Sequence, residues 1–209
     1  MKTAIILFLL FINNTFASYN ESVNKLTSEE QKIINKANTY FNNLQTLQSN
    51  FYQYDDNSGK MAEGKLYIQK PKKLRFEYTH PFNTLLITNN NITTYYDKDL
   101  DEISTFTTKS LPISFLFNEK SNLESINAEI IKINKEDNKI TIYTISIIDK
   151  NKFNINYTFD KNITNLQEIN FQDENGQNIT ITLFNTQLNK ELDKNLFIFK
   201  NPRLYKNRK

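Results

Sequence analysis

The 209-residue chain contains no cysteine and no tryptophan, and it has only one histidine and three glycines. Without cysteine, the chain forms no disulfide framework and offers no thiol as a metal ligand or nucleophile. The single histidine, His80, cannot by itself build a histidine metal site or supply a catalytic triad. Gly59, Gly64 and Gly176 are too scattered to form a phosphate-binding loop. We therefore expect no metal, no cofactor and no enzymatic activity.

The charge of the chain is nearly balanced, with 26 basic and 23 acidic residues and a net charge of +3. The charges are dispersed along the chain, whereas nucleic-acid-binding domains usually concentrate basic residues on one face or helix. We therefore expect no nucleic-acid partner.

Three aspartates, Asp97, Asp99 and Asp101, have the spacing of a calcium-binding loop. Glu102 stands where such a loop needs glycine, and Thr108 stands where it needs a carboxylate. We therefore interpret this stretch as an acidic hairpin turn.

The first 17 residues have the three-part pattern of a secretion signal. Lys2 precedes an unbroken apolar run over residues 4–12, and the small residues Thr15 and Ala17 flank Phe16 at the expected cleavage site. The run is shorter than the roughly 20 apolar residues that span a bilayer. A buried N-terminal segment is the alternative. The pattern predicts a signal peptide over 1–17 and a single exported domain over 18–209.

One amphipathic helix is predicted near the start of the mature domain. Either Thr27 with Glu30 or Ser28 with Gln31 can form a capping box. Apolar residues then recur at helical spacing. These residues are Ile33, Ile34, Ala37, Tyr40, Phe41, Leu44 and Leu47. The stripe predicts a helix that packs on an apolar surface, as core or as a gate.

From residue 49 onward, apolar and polar residues alternate with period two, and turn residues recur every eight to twelve positions. Asn175-Gly176 between alternating runs is a strong hairpin signal. The pattern predicts a large antiparallel β-structure. The candidate strands are 49–54, 64–69, 73–79, 84–88, 92–97, 102–107, 128–135, 139–148, 152–159, 166–172, 178–186 and 196–199.

Residues 108–127 interrupt this alternation with a strongly apolar stretch that contains Pro112. Ile113, Leu116 and Phe117 have helical spacing, and proline is common near helix starts. We therefore predict one or two short helices here. A strand that crosses between the two halves of the sheet is the alternative.

A sheet of about eleven strands does not stay flat, because strand twist makes it curl. We predict a mainly β fold, an unclosed and strongly curved antiparallel barrel covered by the N-terminal helix and a short helical lid. Periodicity alone leaves two alternatives open, an apolar trough or a filled β core. If a trough forms, its predicted lining is Phe51, Leu66, Ile68, Leu74, Phe76, Tyr78, Leu85, Ile87 and Tyr95.

Several segments of the sequence resemble the outer-membrane lipoprotein carrier protein family, LolA. The segments are 49–53 (SNFYQ), 63–78 (EGKLYIQKPKKLRFEY) with Pro81, and 196–202 (LFIFKNP), which is similar to the closing strand of the family. The segment 63–78 is the most specific of these. The resemblance extends over nearly all of the mature chain.

The resemblance implies a periplasmic carrier, expected to be a monomer, that binds the acyl chains of lipoproteins. It implies two partners, an inner-membrane ABC exporter that loads the carrier and an outer-membrane receptor or membrane acceptor. The lid implied by the family comprises Leu111, Pro112, Ile113, Phe115, Leu116 and Phe117.

Lys70 occupies the position where the family typically has an arginine that controls the lid. Lysine lacks the planar fork of donors with which arginine can tie lid carbonyl groups. Two rival functions remain at this point, a related sensor that binds lipid or peptide and a secreted β-module with a solid core.

Overall fold

The computed structural model describes residues 26–119, 121–123, 128–148 and 150–204. The predicted signal peptide lies outside the described residues. Helix α1 spans Ser28–Asn43, and its N-cap is Thr27. The Thr27 side chain accepts from the Glu30 amide, and the Glu30 carboxylate accepts from the Thr27 amide at 2.8 Å. The Thr27–Glu30 alternative for the capping box is therefore confirmed.

Eleven strands follow the helix, and they agree with the first eleven predicted strands within a few residues at each end. They are β1 Thr46–Asp55, β2 Lys60–Gln69, β3 Lys73–His80, β4 Thr84–Asn89, β5 Ile92–Asp97, β6 Glu102–Thr107, β7 Glu129–Lys135, β8 Lys139–Ile148, β9 Asn151–Asp160, β10 Leu166–Asp173 and β11 Asn178–Leu188.

All eleven strands form one antiparallel sheet in the order β6-β5-β4-β3-β2-β1-β11-β10-β9-β8-β7. The first and last strands in this order, β6 and β7, have no strand partner on their outer sides among the described residues. The sheet is therefore curled but unclosed, as predicted. The pairing of β1 with β11 joins a half made of β1–β6 to a half made of β7–β11.

Turn chemistry explains two of the hairpins. Asn90, between β4 and β5, has φ = 60°, and Gly176, between β10 and β11, has φ = 78°. Asparagine and glycine are the residues that adopt positive φ at least cost. The stretch 97–101 forms the turn between β5 and β6, where the Asp97 carboxylate accepts from the Asp99 amide at 2.9 Å. The interpretation of this stretch as a hairpin turn is confirmed.

The apolar segment between the two sheet edges is helical rather than a crossing strand. It forms two short 3-10 turns, Thr108–Ser110 and Ser114–Phe117, with Pro112 in the turn that joins them. The helical prediction for this region is confirmed over the residues that the structure describes.

The predicted last strand over 196–199 is wrong. Residues Lys194–Phe197 form a 3-10 turn, in which the Asp193 side chain accepts from the Asn195 amide. This turn packs on β3 and β4, and it buries Phe197 almost completely. The Arg75 guanidinium also donates to the Leu196 carbonyl oxygen at 3.1 Å. The segment therefore crosses the sheet instead of pairing with an edge.

Candidate functional site

The inner face of the sheet follows from the strand register, because residues paired directly across two strands point to the same face. Leu66 pairs with Phe76, and Ile68 pairs with Leu74. The structure places seven of the nine predicted lining residues on one face, within or against one apolar cluster. These seven are Phe51, Leu66, Ile68, Leu74, Phe76, Tyr78 and Tyr95.

The other two predicted lining residues, Leu85 and Ile87, lie on the opposite face, so their assignment to the lining is a mistake. Leu85 pairs with Glu77, and Ile87 pairs with Arg75, both on the outer face. Leu86, which the prediction missed, pairs with Phe76 and Tyr95 on the inner face. Residues 84–88 are buried on both faces, because the C-terminal turn 194–197 covers β4 from outside. The alternation of apolar and polar residues is therefore missing from β4, and it cannot show which side chains face inward.

At Gly64, in the middle of β2, the Glu77 backbone and the Phe51 ring lie too close for any side chain. A Cβ atom at this position would lie 2.1 Å from the Glu77 carbonyl oxygen and 2.9 Å from the Phe51 ring. The absence of a side chain lets the Phe51 ring pack edge-to-face on Phe76 and Tyr78, at centroid distances of 5.1 Å each. Edge-to-face packing is a favoured aromatic geometry.

The other half of the sheet contributes inner-face residues that the predicted lining did not include. Tyr157 on β9 pairs with Ile142 on β8 and with Ile169 on β10. Ile169 pairs in turn with Ile181 on β11. All four side chains belong to the same apolar cluster as Phe51 and Phe76. The period-two alternation of these strands was the signal that could have identified them.

The six predicted lid residues are all buried. Phe115 lies 5.4 Å from the Phe41 ring of α1 and 5.2 Å from the Tyr157 ring, in edge-to-face geometry. Phe41 also contacts Phe159 at 5.6 Å. The lid and α1 therefore occupy the concave side of the sheet with their own aromatic rings.

The lid is held to the sheet by a backbone hydrogen bond. The Lys72 amide, in the turn between β2 and β3, donates to the Phe117 carbonyl oxygen at 2.6 Å. The Ser121 hydroxyl also donates to the Phe115 carbonyl oxygen at 2.6 Å, which closes the lid on itself. Over the residues that the structure describes, this is the one backbone hydrogen bond between 111–117 and the sheet, and the buried side chains of the segment pack in the apolar cluster.

Lys70 is buried and donates its ammonium to the Phe41 carbonyl oxygen at 2.5 Å. Phe41 lies in the last turn of α1, where carbonyl oxygens lack helical partners and where the helix dipole favours a cation. The last turn of α1 contains no basic residue of its own. Burial lowers the pKa of Lys70 to about 8. Lys70 thus anchors α1, and it is the backbone of Lys72 that holds the lid.

Both ends of the inner face combine buried apolar and buried polar side chains. At the end where β1 starts beside α1, here named the helix end, Leu47, Ile68 and Leu74 are buried together with the hydrogen-bonded Thr88 and Thr93. At the opposite end of the strands, here named the far end, Gln53 and Thr84 are buried polar residues. The far end is also where the Tyr78 hydroxyl donates to Gln53 Oε1 at 2.7 Å. Burial raises the pKa of Tyr78 far above its ordinary value.

A separate groove of about 500 Å³ lies on the outside of α1 at the helix end. It runs between the helix, the turn after β9 and the end of β11. Its lining includes Lys36, Tyr40, Asn43, Ile163 and Asn189. Its lining includes none of residues 111–117 and none of the predicted inner-face lining, so the groove is distinct from the site under the lid.

Within the described ranges, no group of three or more acidic or histidine side chains is placed to hold a metal ion. None of the helices in the described part of the chain is long and apolar enough to cross a bilayer. The side chains of the inner face are mostly apolar, with a few buried hydrogen-bonding groups among them.

The architecture defines a class of protein, in which one curled and unclosed antiparallel sheet is covered on its apolar concave side by its own helix and lid. A family model described as "Outer membrane lipoprotein carrier protein LolA" matches residues 42–200. The chain belongs to this family.

Curated relatives have similar sequences, and a solved structure has a similar fold. An outer-membrane lipoprotein carrier protein of Pseudoalteromonas translucida is 24% identical over 141 residues, covering 68% of each chain. An uncharacterized protein of Rickettsia prowazekii is 29% identical over 168 residues, covering 79% of this chain and 76% of its own. A conserved protein of Thermus thermophilus has a similar fold, with a TM-score of 0.51 at 8% identity, covering 81% of this chain and 93% of its own.

Proposed function

We propose that this chain is a periplasmic carrier that binds the acyl chains of lipoproteins released from the inner membrane and delivers them to the outer membrane. Family membership supports this role. The observation that carries it is the aromatic lid on the concave face, in which Phe41 and Phe115 cover the ring of Tyr157. Acyl chains would take the place of these rings against the inner-face residues.

The energetics of acyl chains explain why a carrier needs a lid. Burying one methylene group contributes about 0.8 kcal/mol, so three chains of about 15 carbons contribute on the order of 30 kcal/mol as an upper bound. A trough that gained this full amount would not release its cargo. Because the cargo must first displace the buried rings of Phe115 and Phe117, the net affinity falls into a range that permits release.

Loading then requires work from a partner, since the chain has no phosphate-binding loop of its own. An inner-membrane ABC exporter would supply this work, and an outer-membrane receptor or membrane acceptor would take the cargo. The signal-peptide pattern over residues 1–17 supports export to the periplasm. In this scheme the protein binds and transfers its ligand without chemical conversion.

Lys70 has a proposed part in lid control, through α1. Its ammonium ties the Phe41 carbonyl oxygen, and the Phe41 ring packs on Phe115 of the lid. Opening of the lid removes the packing on one side of Phe41, so the Lys70 hydrogen bond keeps α1 in place while the lid moves.

The direct test is mass spectrometry of the full mature protein after gentle purification from the periplasm. We expect acyl lipids or lipoproteins to co-purify. The deletion of residues 111–117 should raise lipid retention and slow transfer to acceptor membranes. A protein that is free of lipid, and that binds no synthetic triacylated lipopeptide, would contradict the proposal.

A milder variant sharpens the test. Phe115→Ala removes one ring that competes with cargo, so lipopeptide affinity should rise while the free energy of unfolding of the empty protein falls. Phe197→Ala is the matched control, because Phe197 is equally buried but lies on the outer face. It should lower stability without raising affinity. Equal affinities in the two variants would show that the lid does not compete with lipid.

A further inference from the structure

Tyr157 on β9 carries a fully buried hydroxyl group that has no hydrogen-bond partner among the described residues. Tyr157 is 0% exposed, and its Oη atom makes no hydrogen bond. Leaving a buried polar group unpaired is destabilising, and such groups are rare in native proteins. The Tyr157 hydroxyl therefore calls for an explanation.

A neighbouring hydroxyl, that of Thr144, does not satisfy Tyr157 Oη. Thr144 on β8 pairs with Ile155, two positions before Tyr157, so it is a diagonal neighbour within reach of an aromatic side chain. The Thr144 hydroxyl donates to the Ile155 carbonyl oxygen at 2.8 Å. This bond uses the one proton of that hydroxyl, and no hydrogen bond joins Thr144 to Tyr157 Oη.

The Tyr157 hydroxyl keeps its proton at physiological pH. Burial raises the pKa of Tyr157 far above its ordinary value, and the neighbouring Thr144 side chain only partly offsets this shift. A protonated phenol can donate one hydrogen bond. An acceptor atom would therefore satisfy the group.

Tyr157 lies beneath the rings that cover the concave side of the sheet. The Phe115 ring of the lid packs edge-to-face on the Tyr157 ring at a centroid distance of 5.2 Å. The Phe41 ring of α1 packs on it at 5.7 Å. In the proposed carrier, acyl chains take the place of Phe115. The residue with the unpaired hydroxyl is thus in direct contact with the ring that the cargo would displace.

Other buried side-chain atoms without partners differ from Tyr157 Oη in their setting. They are Gln53 Nε2, Gln69 Oε1 and Ser146 Oγ. The Gln53 amide is partly satisfied, because its Oε1 accepts from the Tyr78 hydroxyl at 2.7 Å. Gln69 follows the inward-facing Ile68, so it points to the outer face. Ser146 lies near the end of β8. For Tyr157, ring contacts place the residue against both α1 and the lid.

The surroundings of Tyr157 favour a neutral acceptor. Its cross-strand partners, Ile142 and Ile169, belong to the apolar cluster. Burying a charged group among such side chains costs far more than burying a neutral one. Every acyl chain carries a neutral carbonyl oxygen at its ester or amide linkage, and carbonyl oxygens accept hydrogen bonds. An acyl carbonyl group therefore has the chemistry that the site lacks.

We propose that the Tyr157 hydroxyl donates a hydrogen bond to the ester or amide carbonyl oxygen of an acyl group that has displaced Phe115. This inference rests on the proposed carrier function. It places the carbonyl end of that acyl group beside β9, where the lid lies in the empty protein. The hydroxyl is unpaired in the empty protein and becomes satisfied in the loaded protein.

The test measures binding of a synthetic triacylated lipopeptide and two analogues to the wild type and to Tyr157→Phe. One analogue has ether-linked chains in place of the ester-linked chains, and the other lacks the amide-linked chain. Tyr157→Phe should weaken binding of the parent lipopeptide by about fivefold, the factor that corresponds to one net hydrogen bond. This loss should disappear with the ether analogue if the acceptor is an ester carbonyl. It should disappear with the other analogue if the acceptor is the amide carbonyl.

Tyr40→Phe is the matched control, because the Tyr40 ring also packs on Phe41 while its hydroxyl has a partner, the Leu166 amide at 3.4 Å. It should lower the melting temperature of the empty protein and leave the binding of all three ligands unchanged. Tyr157→Phe should keep or raise the melting temperature. If Tyr157→Phe lowers it as much as Tyr40→Phe does, then Tyr157 Oη already has a partner and the proposal is overturned.

The remaining outcomes separate this contact from the carrier function. If Tyr157→Phe binds the lipopeptide and both analogues as the wild type does, the contact is overturned while the carrier function stands. An equal loss for all three ligands also overturns it, because no carbonyl oxygen is then the acceptor. If the wild type binds none of the three ligands, both proposals fail.

Discussion

The helix end and the far end of the inner face are built on different principles. At the helix end, aromatic rings from α1 and the lid fill the concave side, and the Thr88–Thr93 hydroxyl pair has its hydrogen bond. At the far end, the Tyr78 hydroxyl donates a buried hydrogen bond to Gln53 Oε1. We therefore expect the rings at the helix end to contribute most to the stability of the protein.

The largest effect should come from removing a ring at the helix end. Phe41→Ala deletes a fully buried side chain that contacts Phe115, Tyr157 and Phe159. We expect a loss of about 3–5 kcal/mol in the free energy of unfolding, measured by urea denaturation.

The matched variant at the far end is Phe153→Ala. Phe153 is 9% exposed, so its truncation should cost less than that of Phe41. Equal losses in the two variants would mean that the two ends contribute equally to stability, against the comparison above.

A second effect is pH-dependent and belongs to Lys70. Its pKa is about 8 in the folded protein, because burial disfavours the charged form, and about 10.4 when unfolded. The unfolded state therefore binds more protons between these values, so stability should rise as the pH increases from about 8 to about 10. The full rise is on the order of 3 kcal/mol.

Other groups also titrate in this range, so the measurement is a difference between variants. Lys70→Met should lose the pH-dependent rise that the wild type shows in urea unfolding. Lys65→Met, at an exposed position on β2, the strand that precedes Lys70, should keep it. An identical pH profile for the wild type and Lys70→Met would rule out the buried lysine as its source.

The smallest effect concerns the start of α1. Thr27→Ala removes the side-chain half of the capping box and should cost about 1 kcal/mol of stability, measured by thermal unfolding. Ser28→Ala, one residue further on, serves as the control because the N-cap is Thr27. A larger loss in Ser28→Ala would place the cap at Ser28 instead.

Periodicity in the sequence predicted α1 and the first eleven strands, because each of these elements has one apolar face. The predictions from periodicity were wrong for segments that do not have a single apolar face. In β4, both faces are covered, so the alternation could not show that Leu86 rather than Leu85 and Ile87 faces inward. The apolar residues at 196–199 were predicted as a strand, although Phe197 is buried by packing across the sheet.

The site was predictable in part. The six residues predicted as a lid from the family resemblance are all buried, and their role as a lid stays a prediction. The contact of Lys70 with the end of α1 was not predictable, since it joins residues 29 positions apart in the chain. Gln53 Nε2, Ser146 Oγ and Tyr157 Oη are buried without hydrogen-bond partners. This depends on which groups surround them in space, and local sequence does not contain that information.

The central claim is that lipid enters by displacing the lid from the inner face. The most direct measurement is amide hydrogen exchange of the wild-type protein with and without the triacylated lipopeptide. In the empty protein, the Lys72 amide is protected by its bond to the Phe117 carbonyl oxygen. We expect this amide to lose protection on lipid binding while the amides of β1 and β2 stay protected. Unchanged or increased protection at Lys72 in the loaded protein would contradict the account.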